Sequence, residues 1–202
     1  MNGSRLALLL LLIPALPLGA QTTVYTPPST QNYTPLTSHE RFDAYLSGIV
    51  GVNAFVDSAA VAAIGQAGDW PYEWGEGSAG FGRRFASAYG QRFVGQTIMH
   101  GTAALLHEDN RFLPLNEGSV RHRLAYAVTS AFVARRDDGS RRVSFSAISG
   151  GAGAAFISRA WQPPSRSSVA DGAMAFGLGF AGRIGLNVAG EFSPRMFKRF
   201  FQ

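Results

Sequence analysis

The sequence predicts an all-α protein: a compact bundle of glycine- and alanine-rich helices behind a signal peptide and a disordered leader. Three observations lead there. Apolar residues recur at three- and four-residue steps through 41–67 and 83–107, which is helical spacing. Small residues form stripes along the same stretches, as they do where helices approach closely. The chain has no cysteine and an export-type N-terminus, so its stability must come from packing, self-association or a membrane rather than disulfides.

Residues 1–20 carry Arg5, the apolar run Leu6 to Ile13, Pro14 and Pro17, and then Leu18-Gly19-Ala20 before Gln21. That is the charge, apolar and small-residue order of a secretory signal peptide. Residues 21–37 are rich in Thr, Pro, Ser, Gln and Tyr and lack apolar periodicity, which predicts an extended, disordered leader. A single glycine-rich helical domain follows over 38–202. Export without cysteine points to the envelope of a Gram-negative-type bacterium, periplasm or outer membrane.

Thr37-Ser38-His39-Glu40 has capping-box spacing, with Thr37 as N-cap of the first helix. Phe42, Tyr45, Leu46, Ile49 and Val50 begin its apolar stripe, and Gly65, Gly68 and Pro71 close it. After the aromatic, glycine-rich loop 69–82, a long helix over 83–107 carries Gly82, Ala86, Gly90, Val94, Thr97 and Gly101 as a small-residue stripe. Gly150, Ala154 and Ser158 repeat the pattern, as do Ala175, Gly179, Gly182, Leu186 and Gly190. Ser193-Pro194 predicts the start of a short terminal helix.

The alternative architecture is a small outer-membrane β-barrel. Leu124, Tyr126, Val128, Ser130, Phe132 and Ala134 alternate large with small, Asp137-Asp138-Gly139 reads as a turn, and Val143, Phe145 and Ala147 alternate again. No segment after the signal peptide is expected to span a membrane simply. Segments 44–64 and 172–190 are interrupted by Asn53 and Asp57, and by Arg183 and Asn187.

Candidate chemistry is sparse. His100, His107 and Glu108 would share one helical face and are the weak metal candidates, the basis of a further alternative, a periplasmic metal-dependent hydrolase. The spacing lacks the metalloprotease motif, and Glu108 with Arg111 reads equally as a helix-end ion pair. Gly75, Gly77 and Gly80 satisfy GxGxxG without a preceding strand, so no nucleotide cofactor is expected. Trp70, Tyr72 and Trp74 suit a hydrophobic plug, an interfacial anchor or a sugar-stacking platform. Arg183, Asn187 and Glu191 predict a buried polar ladder that specifies helix packing. The tail residues Arg195, Phe197, Lys198, Arg199, Phe200 and Phe201 interleave charge with aromatic rings and are the membrane-contact candidates.

The net charge of +5 is nearly all arginine, scattered in small groups, and favours an anionic membrane surface over nucleic acid as partner. A homo-oligomer through the small-residue faces is the other expected association. The runs EWGEGSAGFGRRF (73–85), HEDNRF (107–112), FVARRDDG (132–139), AFISRAW (155–161) and NVAGEFSP (187–194) together resemble a family of uncharacterised exported bacterial envelope proteins. Asn110 departs from the proline expected in the acidic motif. The resemblance implies an envelope address, no assigned activity and no functional residues to carry over. The function expected is therefore non-enzymatic: a structural or interaction role with membrane association or self-association.

Overall fold

The computed structural model describes residues 33–193, which are mostly helical with one small three-stranded sheet. In chain order the elements are α1 (Ser38–Val50), α2 (Val52–Ala67), α3 (Gly77–Leu106), β1 (Glu108–Asp109), α4 (Val120–Thr129), β2 (Val133–Arg136), β3 (Arg141–Val143), α5 (Phe145–Ile157) and α6 (Val169–Phe192). Single 3-10 turns lie at Tyr72–Trp74, Ser158–Trp161 and Pro164–Arg166.

Helix α3, at 30 residues, is the axis, about 45 Å long at about 1.5 Å per residue. Helices α1 and α2 run antiparallel to it on one flank. At one end Arg41 donates to the Glu108 carbonyl, and at the other Gly65 lies against Arg84. Helix α5 runs antiparallel to α3 on another flank, α6 packs on α5, and α4 packs on α6. The sheet closes the end where α3 terminates, at His107 in a left-handed conformation (φ 55°).

Close packing of α3 and α5 depends on missing side chains. A Cβ on Gly150 would sit 2.6 Å from the Met99 Cβ and 2.8 Å from the Gly95 carbonyl oxygen. One on Gly95 would sit 3.0 Å from the Ala154 Cβ. Of the stripes read from sequence, Gly150 and Ala154 line this contact side of α5, and Ser158 falls in the 3-10 turn after it. Gly82 and Gly101 on α3 and Gly179 and Gly182 on α6 instead meet nothing within 4 Å.

Small residues inside leave the large ones outside. Among the described residues, eight of the eleven buried hydrophobic residues are alanines, and the largest fully buried side chain is Glu191. The buried positions of α2 are Ala54, Ser58, Ala62 and Gly65, while Val52, Phe55, Val56, Val61 and Ile64 are exposed. Every exposed position of α6 is apolar or glycine, including Met174, Leu178 and Leu186.

Several expectations change. The continuous helix of 41–67 is two: Gly51 is extended (φ −68°, ψ 156°), caps α1 through its N–H to Ser47 O, and starts α2 by accepting from Ala54 N. Even so, Ser38–Ala67 is long and apolar enough to cross a membrane, and an apolar 18-residue stretch of it is only 28 % buried; Asn53 and Asp57 do not offset its apolar content. Helix α3 begins at Gly77 rather than Arg83. Gly80 is already helical, and it is glycine because a Cβ there would run into the Gly75 carbonyl.

The alternation over 124–134 is not a barrel strand. Residues 120–129 are helical, satisfying their backbone bonds locally, and only 133–136 and 141–143 pair as a hairpin across the Asp137-Asp138-Gly139 turn. That hairpin and its pairing to β1 (Glu108↔Arg136, Asp109↔Arg135) add a sheet that an all-α reading lacked. Of the expected leader 21–37, residues 33–37 are described. Tyr33 donates to Asp109 at 3.0 Å and the Thr34 carbonyl accepts from Arg111, so 33–37 lie against the sheet. Residues 1–20, 21–32 and the 194 onward segment with its expected short helix lie outside the described residues; Ser193 ends α6.

Gly150→Val should lower stability by about 1–3 kcal/mol through overpacking. Gly182→Ala, with open space around it, should raise it by up to about 1 kcal/mol. Thermal unfolding in mild detergent followed by circular dichroism reads both, and equal effects would contradict this packing.

Candidate functional site

Three buried polar clusters and one cleft stand out. At the sheet end, Glu108 is buried and its carboxylate accepts from Phe145 N (3.2 Å), Ser146 N (2.9 Å) and the Ser146 hydroxyl. It therefore caps the positive N-terminus of α5 from a neighbouring strand. Asn110 completes the cluster, donating to Ser146 Oγ and accepting from Ser144 Oγ, each at 2.6 Å. The proline expected at this position could make neither bond. Next to it, Asp109 holds Arg111 (2.7 Å) and Tyr33. Burial, then the Asp109 charge, pushes the Tyr33 hydroxyl up to about 12.

The second cluster locks α6 to α4. Glu191, fully buried, accepts from Arg123 Nε at 2.7 Å and from the backbone N–H groups of Leu115 (2.9 Å) and Asn116 (3.1 Å). Asn187 donates to the Ala127 carbonyl at 3.1 Å. Arg183 reaches the Asn110 carbonyl at 3.3 Å and the Met99 sulfur at 3.8 Å. These three residues thus face α4, α3 and the segment after β1, and bind structural groups of the chain itself.

The metal candidates do not converge. Glu108 is in β1 and saturated at the α5 N-terminus, not on a helix face. His107 is the left-handed cap of α3, paired with Asp137 at 2.8 Å, while His100 lies along α3 against the Tyr45 ring, 5.7 Å between centroids. Their helical spacing ends because α3 ends at Leu106. Among the described residues no three metal-binding side chains gather. The alternative helix-end pairing fails too, since Arg111 binds Asp109 rather than Glu108. The Gly75-Gly77-Gly80 run follows a 3-10 turn, not a strand, and serves Arg84. The tail candidates 195–201 lie outside the described residues.

The third cluster builds the cleft. Arg84, buried, donates to the carbonyls of Trp70 (3.0 Å), Gly75 (2.6 Å) and Pro71 (2.9 Å), to Gln66 Oε1 (2.7 Å) and to Asp69 (3.3 Å). All five guanidinium hydrogens are engaged. The aromatic loop is thereby fastened to α3, which brings Trp70 and Trp74 to the mouth of a cavity of about 520 Å³. Its floor is α3 (Arg84, Ser87, Ala88, Gln91) and its walls are α2 (Val61, Ile64, Gly65) and α6 (Met174, Ala175, Leu178, Gly179).

One rim is cationic. Arg166 lies 3.5 Å over the Trp70 ring and pairs with Asp171 at 2.7 Å. Arg159 bonds to the Ala155 and Arg166 carbonyls and the Ser158 hydroxyl, with no carboxylate among these partners. Burial draws the Arg159 guanidinium below its usual range, against the pull of Asp171. On the floor, Ser87 Oγ accepts from Trp161 Nε1 (3.1 Å), Gln162 Nε2 (2.7 Å) and Gln91 Nε2 (3.3 Å). Three donors thus crowd a hydroxyl oxygen with two lone pairs.

Of the cleft, sequence reasoning singled out Gly65, Trp70, Pro71, Trp74, Ala175 and Gly179 but not Arg159 or Arg166. Their only sequence signal was two arginines flanking the Pro163-Pro164 break. Comparison with protein-family models, curated proteins and solved structures finds no match to this chain.

Asp171 anchors the first turn of α6: hydrogen bonds from Ser168, and the Arg166 charge, hold its carboxyl below its ordinary value. A depressed folded value contributes stability above the unfolded value and loses it as pH falls through the folded one. The stability difference between the native chain and Asp171→Asn should therefore be full at neutral pH and close below about pH 4. Denaturation midpoints across that range measure it.

Proposed function

We propose that this chain is a non-enzymatic cell-envelope protein, exported by its N-terminal signal and seated against lipid as a helical module. Support comes above all from the inverted burial. Alanine, glycine and serine make up most of the buried positions, while Val52 and Val56 of α2 and Val169 and Leu186 of α6 face outward. In water each such side chain forgoes about 1.5–3 kcal/mol of burial, whereas against acyl chains it loses nothing. Close packing of small residues is the way helices associate where lipid removes the hydrophobic drive between them. Two ion pairs between helices fit the same setting: Asp57 with Arg92 at 2.8 Å, and Glu191 with Arg123.

A second reading, a homo-oligomer through the α6 face, draws on Gly177, Gly182 and Gly185, around which there is open space that another copy's helix would fill.

In vesicle flotation, the full mature chain should rise with phospholipid vesicles and resist extraction by high salt. Val56→Lys with Leu186→Lys, both exposed and outside the cleft, should leave most of it at the bottom of the gradient. A chain that stays soluble without detergent and does not float overturns the lipid seat. A detergent-free oligomer of defined size would favour self-association instead.

A further inference from the structure

We propose that the cleft between α2 and α6 binds a single-chain anionic amphiphile, its acyl chain between the two helices and its carboxylate or phosphate at Arg159 and Arg166. The inference deepens the lipid-seated reading by naming a ligand for the cleft, and it rests on that reading only for where the ligand comes from.

The shape comes from the walls. Helices α2 and α6 each pack elsewhere, on α3 and on α5, and leave a trough between them. Its sides are Val61 and Ile64 facing Met174 and Leu178, and Gly65, Ala88, Ala175 and Gly179 keep it open where larger residues would fill it. The volume of about 520 Å³ falls within the range of small-molecule sites, about 300–1,000 Å³. The α2 and α6 walls suit hydrocarbon, while the polar lining residues Arg84, Ser87, Gln91, Arg159, Gln162, Arg166 and Asp171 lie on the floor and rim.

The polarity comes from one end. Three arginines line the cleft against one carboxylate, Asp171. The charge of Arg84 is met by Asp69, and Asp171 serves Arg166. Arg159 is left as a cation whose hydrogen bonds go to neutral oxygens, with two of its five N–H groups uncommitted among these bonds. Beside it, the donors that crowd Ser87 Oγ outnumber the oxygen's capacity to accept. A site with surplus donors and an unmatched guanidinium calls for an anionic acceptor. Guanidinium binds carboxylate and phosphate oxygens by the same charge-assisted bonds.

The chain's own fluorescence reports on this site. Its three tryptophans are Trp70 and Trp74, which line the cleft, and Trp161, bonded to Ser87 on its floor. Doxyl-labelled stearic acid, which carries a quencher on an acyl chain, is titrated into the purified full chain. Its methyl ester and a doxyl-labelled lysophosphatidic acid are titrated alongside.

Saturable quenching by an anionic probe is expected, with the methyl ester weaker by at least about tenfold, near 1.4 kcal/mol. Arg159→Gln should reduce affinity by a similar factor. Gly179→Leu, placed where nothing now stands within 4 Å, should abolish saturable quenching while the circular dichroism spectrum stays helical. Preference for the stearate points to free fatty acid as the source, and preference for the lysophosphatidic acid points to a lipid phosphate. Quenching that is unsaturable, equal for the ester and unchanged in both variants overturns the proposal. Because binding is read without vesicles, a chain that binds stearate but does not float retains the cleft and loses the lipid seat. A chain that floats but shows no saturable quenching does the reverse.

Discussion

The approach of α3 to α5 across Gly95 and Gly150 is the contact on which the rest of this fold depends. There the Gly95 backbone and the side chains of Met99 and Ile98 stand where side chains at Gly150 and Gly153 would have to be, so glycine on α5 lets the two axes come together. Helix α3 in turn carries α1 and α2, and α5 carries α6, so the spacing of the whole bundle follows from that one tight seam. A seam of glycine and alanine buries little apolar area, and area is what makes the hydrophobic effect strong in water. The same choice of residues expels valine, leucine and methionine to the outside. Interior and exterior are thus two consequences of one packing decision.

Because the helices meet through small residues, polar side chains supply the specific connections between elements. Glu108 ties β1 to the start of α5, Glu191 ties α6 to α4 and the loop before it, and Arg84 ties the aromatic loop to α3. Each is buried, and each finds a saturating set of partners, many of them backbone groups. Buried charges left short of partners cost several kcal/mol, so these sets can form only in one arrangement of the chain. They orient elements that a smooth surface of alanines would let slide. Arg159, with neutral partners in a cleft short of acceptors, departs from this pattern, which is why it carries the ligand assignment.

Much of the helical content was legible in the sequence. The Thr37 capping box forms as spacing predicted, with Glu40 accepting from Thr37 N at 2.8 Å, and the long apolar periodicities became helices. What misled was local ambiguity. Glycines at 77–82 read as loop because glycine disfavours helix, yet Gly80 is needed where the Gly75 carbonyl passes. His107 and Glu108 read as continuing a helical face because periodicity does not register a left-handed cap one residue after the last turn. The stripe on α3 was one helical face away from the seam, since small residues occupy several faces of that helix and spacing alone does not say which one is covered.

By itself the sequence determined what depends on near neighbours along the chain: helix periodicity, the cap at Thr37, the turn at 137–139, and stripes of small residues along the helices. Only the tertiary structure decided which glycines touch, which carboxylate caps which helix, and that Arg159 and Arg166 stand at the mouth of a trough walled by α2 and α6. The physical reason is range. Hydrogen bonds within a helix close over four residues, whereas the partners of Glu108, Glu191 and Arg84 are brought in by loops, and a long-range partner leaves no period in the sequence to read.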